Sequence, residues 1–196
     1  MTDETPGMYH DGHRELQDLF DGRRLADALE KSVAHKVFTR EDAAFIEGAE
    51  FFFLATAFGE SVDCSFKGGP PGFVRVTGPN ALEWTDLDGN SMYRSLGNIL
   101  KSPRVGLLFI EFGPSPRRLR VNGTCQMRDI EGSAKPVLRV EAEDIFPNCP
   151  RYIPDLSQGT ASPYLPADGG IGPKPGWKAI DGLSEALPDN DPHRLD

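Results

Sequence analysis

Lys67 is followed by Gly68, Gly69, Pro70, Pro71 and Gly72, and a second short stretch carries Asn90, Ser91, Arg94 and Ser95. These residue types suit the holding of an anion. An Arg fork and a Lys ammonium donate to phosphate oxygens, and a Ser hydroxyl adds a further donor. Glycines let backbone approach a ligand closely. If Asn90 to Leu100 folds as a helix, with Asp88 or Asn90 as its cap, the polar residues occupy its first turns. There, free backbone N–H groups and the helix dipole favour negative charge. The same residues also serve structure alone. A Gly- and Pro-rich run makes a hairpin loop beside a solvated lysine, and Ser and Asn cap helices that bind nothing. Each stretch by itself leaves both readings open. Together they favour a phosphate.

Other chemistries find less support. The lysine lies in neither a Walker loop nor a GxGxxG dinucleotide fingerprint. Asp86, Asp88 and Asn90 imitate the opening of a calcium loop, but Gly89 is out of place and Gly97 stands where a Glu is required. His10, Asp11 and His13 read as solvated N-terminal residues, so no metal site is assigned. Cys149 reads as a small buried thiol. Asn122-Gly123-Thr124 matches a glycosylation sequon but falls within a strand pattern. No Ser–His–Asp set or paired carboxylates can be assembled, so catalysis here would draw its chemistry from a bound cofactor.

The elements that must position these residues are mostly short strands. FFFLATAF (51–58) is a continuous apolar run, as expected for a strand buried on both faces. Residues 61–66, 73–77, 82–86, 105–112, 119–127 and 137–146 follow as further strands. Over 119–127, Leu119, Val121, Gly123 and Cys125 alternate with Arg120, Asn122 and Thr124. Leu16, Leu19, Phe20, Leu25, Ala28 and Leu29 recur at helical spacing, broken at Gly22, and Thr39 with Asp42 opens a helix over residues 40–47. Three segments result: an N-terminal helical segment (1–48), a barrel (49–153) and an extended Pro- and Gly-rich tail (154–196). Trp177 and Ile180 are the expected anchors of that tail, pinning it to the barrel or to a partner subunit. Many close-spaced strands with little helix predict a mainly β fold, a barrel with flanking helices.

Composition narrows the partners. The net charge of −9 argues against nucleic acid, and no apolar run is long enough to cross a bilayer. Three scattered cysteines without CxxC spacing, and an N-terminus without a basic-then-apolar segment, predict a cytoplasmic protein with free thiols.

FFFLATA, DCSFKGGPPGFVRV, DGNSMYRSLGNIL, PRVGLLFIEF, RLRVNG and IFPNCPRYI, taken in order with RELQDLFDGRRLADALE and PKPGWK, resemble the pyridoxamine 5'-phosphate oxidase-like family. The resemblance implies an FMN-binding split β-barrel that forms a homodimer, with FMN between the subunits. It implies an FMN-dependent oxidoreductase acting on a small molecule. Lys67, Arg94 and Ser95 match the family's phosphate donors, with Asn90 as a neighbour. Ser65 and Phe66 would lie along the flavin, and Asn122 would reach its edge from the partner subunit. Val62 stands where the oxidase has an Arg, and its substrate-binding Trp and Arg pair has no match, so vitamin B6 synthesis is not implied. The rival readings are an F420- or haem-binding barrel and a non-enzymatic flavin module.

Overall fold

Alternation of apolar and polar residues at period two, interrupted by Gly and Pro turns, makes this chain a sheet protein. The computed structural model describes residues 7–86, 92–128, 136–156, 163, 172–187, 189 and 191–194. The chain divides into two units, residues 35–148 and residues 1–34 with 149–196.

The first unit holds α1 (Arg40–Gly48), the strands β1 (Phe51–Phe58), β2 (Ser61–Gly68), β3 (Val74–Gly78) and β4 (Ala81–Thr85), then α2 (Arg94–Lys101), β5 (Arg104–Glu111), β6 (Arg117–Arg128) and β7 (Val137–Pro147). The Thr39 capping box forms as the sequence predicts: its hydroxyl accepts from the Asp42 N–H, and the Asp42 carboxylate accepts from the Thr39 N–H. The seven strands make one antiparallel sheet in the order β2-β1-β5-β6-β7-β4-β3.

The sheet curls around one side. Phe52 of β1 meets Trp84 of β4 and Phe109 of β5 with ring centroids 5.1 Å apart in both cases, and it stacks on Phe73 at 6.0 Å. Leu54, Leu107, Val121, Leu138, Val140 and Ile145 fill the same core. An ion pair from Lys67 at the end of edge strand β2 to Asp86 just beyond β4 spans the curl. The fold is therefore the mainly β split barrel with flanking helices that the sequence predicts.

One strand differs from expectation. β1 is not buried on both faces: Phe52, Leu54 and Thr56 are buried, whereas Ala55, Ala57 and Phe58 are exposed and Phe51 and Phe53 half-buried. Its apolar run serves a core on one side and an uncovered aromatic face on the other. There Phe51 stacks on Phe66 at 5.4 Å and on Phe112 at 6.1 Å. A register shift between Asn122 and Gly123 lets β6 follow the curl. Gly123 is obligatory there, because a Cβ would stand 2.1 Å from the Glu141 carbonyl oxygen.

The second unit contains the helices Asp11–Leu19 and Arg23–Val33, separated near Gly22 as the sequence predicts, and a 3-10 turn at Gly176–Ala179. Ile180, expected as an anchor, is exposed, and Trp177 is half-buried. Leu183, Leu187, His193 and Lys178 are buried instead. The Lys178 ammonium donates to both Asp191 oxygens, at 2.7 and 2.6 Å, and the His193 N–H donates to Asp191 at 2.9 Å. Lys178 and Asp191 thus form a satisfied ion pair within the tail itself, which apolar periodicity cannot reveal.

Two tests follow from these contacts. Gly123→Ala should cost about 1–3 kcal/mol, read by thermal or denaturant unfolding, because the β6–β7 ladder must part to admit the methyl group. At Asp191, burial pushes the carboxyl up, but the Lys178 and His193 hydrogen bonds outweigh it and hold the group below its usual value. That contribution is complete above the ordinary carboxylate pKa of about 3.9 and is lost as pH falls through the lowered native one. Unfolding followed across that acid range should be less pH-dependent in Asp191→Asn.

Candidate functional site

β2 is an edge strand, and its alternation decides what each side chain can reach. Pairing with β1 sets Asp63 opposite Thr56, Ser65 opposite Leu54 and Lys67 opposite Phe52. Thr56, Leu54 and Phe52 all face the core, so Asp63, Ser65 and Lys67 lie on the concave side of the sheet. Phe66 takes the opposite, outer face, where it is 63% exposed.

α2 packs over β1 and β2 and begins at Arg94, four residues later than the expected start at Asn90. Asn90 itself lies outside the described residues, as do Asp88 and Ser91. Tyr93 occupies the N-cap position in the left-handed conformation, φ 46°, and makes no side-chain capping bond. Two buried residues seat the helix. The Asn98 amide donates to the Thr56 hydroxyl at 3.2 Å, and the Ser95 hydroxyl lies 2.9 Å from that of Ser65.

The structure thus brings Ser65, Lys67, Arg94 and Ser95 to one region. Ser65 touches Ser95 directly, and Lys67 follows Ser65 by two residues on the same face, about 6.5 Å along a strand. Arg94 remains 53% exposed, with its guanidinium donating to the Val62 carbonyl at 3.3 Å.

Neither cation stands alone. The Ser95 hydroxyl donates to Asp63 at 2.6 Å, and the Arg94 Nε lies 3.5 Å from the same carboxylate, at the outer limit of a hydrogen bond. The Lys67 ammonium donates to Asp86 at 2.8 Å, with both side chains largely buried. Sequence reading missed the part played by both carboxylates. The signal was available: Asp63 precedes Ser65 and Lys67 at period two, so a β2 strand must turn all three the same way.

Phe66 and Asn122 belong to the outer face. Asn122 pairs with Gly106, which pairs with Ala55, which pairs with Cys64. Three small residues therefore lie in a row across the sheet beside exposed Asn122. The adjacent row reads Phe66, Phe53, Leu108 and Arg120. Within one chain the seven expected site residues are split between the concave donors and this flat outer bed, apart from Asn90.

Two concave cations and two hydroxyls fit the holding of a phosphate ester once the carboxylates yield. The outer bed offers a flat surface with an amide at its margin. No His/Cys/Asp/Glu cluster suited to a metal occurs among the described residues. No described helix is long and apolar enough to cross a membrane.

A family model described as pyridoxamine 5'-phosphate oxidase matches residues 38–165. No curated protein matches the chain. Among solved structures, a putative pyridoxamine 5'-phosphate oxidase from Listeria innocua is similar at 15% identity and a TM-score of 0.41, covering 53% of this chain and 92% of its own. A FAD-binding protein from Mesorhizobium loti is similar at 12% identity and a TM-score of 0.43, covering 59% and 95%. An FMN-binding protein from Syntrophomonas wolfei is similar at 10% identity and a TM-score of 0.41, covering 69% and 96%.

The seating of α2 can be tested without any ligand. Asn98→Ala leaves the Thr56 hydroxyl buried without this donor and should cost about 1–3 kcal/mol in denaturant unfolding. Surface Lys101→Ala on the same helix should change stability by no more than about 0.5 kcal/mol.

Proposed function

The chain belongs to the pyridoxamine 5'-phosphate oxidase family, and on that premise we propose that it is an FMN-binding oxidoreductase acting on a small molecule. The observation that carries this reading is the series of donors along the concave side of β2: Arg94 beside Asp63, Ser95 on Ser65, and Lys67 two residues further along the strand. Two cations and two hydroxyls there supply the donors that a phosphate monoester requires once Asp86 and Asp63 yield. Bound FMN supplies hydride or electron transfer that the chain's own side chains do not.

In this reading each residue has a distinct role. Lys67 and Arg94 neutralise the phosphate, Ser95 and Ser65 donate hydroxyl hydrogen bonds to it, and Asn90 is a further proposed donor. A second copy of the chain is proposed to cover the outer aromatic face, placing the flavin between subunits. Exposed Phe66 and Val62, both on that face, support the arrangement, because an uncovered apolar face of this kind favours burial. Phe66 and Asn122 would then meet the flavin from the outer bed, Asn122 through the second copy.

The test is fluorimetric titration with FMN of the wild type and of the Lys67→Ala, Arg94→Ala double variant. Charge-assisted contacts are worth about 1.5–3 kcal/mol each, so the double variant should lose about a hundredfold or more in affinity. Unchanged affinity in a folded double variant contradicts the phosphate assignment.

A further inference from the structure

An anion is already present where the phosphate is proposed, and it is part of the chain. Asp63 accepts from the Ser95 hydroxyl at 2.6 Å and faces the Arg94 Nε at 3.5 Å. Both donors lie in the first turn of α2, the end of the helix that attracts negative charge. Tyr93 provides no capping acceptor, so Asp63 reaches this helix end from another strand instead. The carboxylate is only 17% exposed and lies within the concave side of the barrel.

We infer that Asp63 is an internal counter-anion that occupies the Arg94 and Ser95 donors and must give way to a phosphate ester. This rests on the phosphate site proposed above and adds a residue that sets its selectivity. A dianion arriving beside an ionised Asp63 would meet like charge at contact distance, in surroundings that screen less than bulk water. It can bind only by taking over the Ser95 hydroxyl and pushing the carboxylate aside. Ligands without a phosphate never meet this barrier. Asp63 therefore weakens retention of phosphate esters specifically and leaves the ring-binding surface untouched.

Asp86 holds Lys67 in the same manner, but that pair is more deeply covered on both sides and also spans the curl of the barrel. Asp63 is the separable member. Its other partner, Arg94, is more than half exposed and can swing outward without unpacking the core.

The experiment compares the wild type with Asp63→Asn, which keeps the shape and an acceptor for Ser95 but removes the charge. Three probes are titrated at fixed ionic strength: FMN, riboflavin and inorganic phosphate. Removing a contact-distance like charge should tighten FMN and inorganic phosphate by about tenfold or more. Riboflavin, which has no phosphate, should bind equally to both proteins. Should Asp63→Asn fail to fold, Asp63→Ser, which removes the charge with a smaller side chain, carries the same comparison.

Unchanged or weaker FMN and phosphate binding in a folded variant overturns the inference, even where the wild type binds FMN well and the flavin reading stands. Equal tightening of riboflavin and FMN also overturns it, because the effect would then not depend on the phosphate. Tighter inorganic phosphate without FMN binding by either protein supports the internal anion while removing the flavin reading.

Discussion

One alternation along β2 sets the terms for the rest of the site. Asp63, Ser65 and Lys67 turn toward the concave side because Thr56, Leu54 and Phe52, their partners on β1, belong to the core. An edge strand ordinarily exposes half of its polar groups to water. Here the inward half carries a carboxylate, a hydroxyl and an ammonium, and each requires a partner once it is covered. The partners come from elements far away in sequence: Ser95 and Arg94 from α2, and Asp86 from the end of β4. The ion pairs satisfy the strand and at the same time hold the donors that a phosphate would use.

The curl of the sheet follows from the same arrangement. Phe52 needs neighbours on every side and finds Phe109 on the adjacent strand β5, with Trp84 of β4 and Phe73 just before β3 from the far end of the strand order. Burying that ring draws β4 toward β1, and the Lys67–Asp86 pair forms across the resulting gap. Gly123 permits the register shift that lets β6 take part in the curvature. Core packing thus positions the concave donors, and their local charge balance decides how readily they accept a guest. With Lys67 and Arg94 facing Asp86 and Asp63, that balance is close to neutral.

Much of this was legible in the sequence. Strand periodicity, the break at Gly22, the Thr39 capping box and the strand positions all follow from local pattern and turn chemistry, and the structure bears them out. The candidate donors were readable as types, and the contact of Ser65 with Ser95 follows from the inward turn of β2 beneath α2. Three features were not legible, for physical reasons. An apolar run such as residues 51–58 does not reveal whether its second face is buried in the same chain or left uncovered. The start of α2 at Arg94 depends on Tyr93 adopting a left-handed conformation, a choice that cap preferences oppose. The pairing of Lys178 with Asp191 and of Ser95 with Asp63 depends on tertiary proximity, which carries no periodic signal.

The division of the site between two faces has a mechanical consequence. Ser65 and Lys67 lie on the concave side, whereas the row of Cys64, Ala55, Gly106 and Asn122 lies on the other side of the same sheet. In the proposed arrangement a second copy brings Asn122 to the same ligand. The most direct measurement is the visible absorption spectrum of the purified protein before and after addition of FMN and removal of the unbound excess. The account predicts an oxidised-flavin spectrum, either present at the outset or retained after FMN is added. A colourless protein that retains no FMN would contradict it.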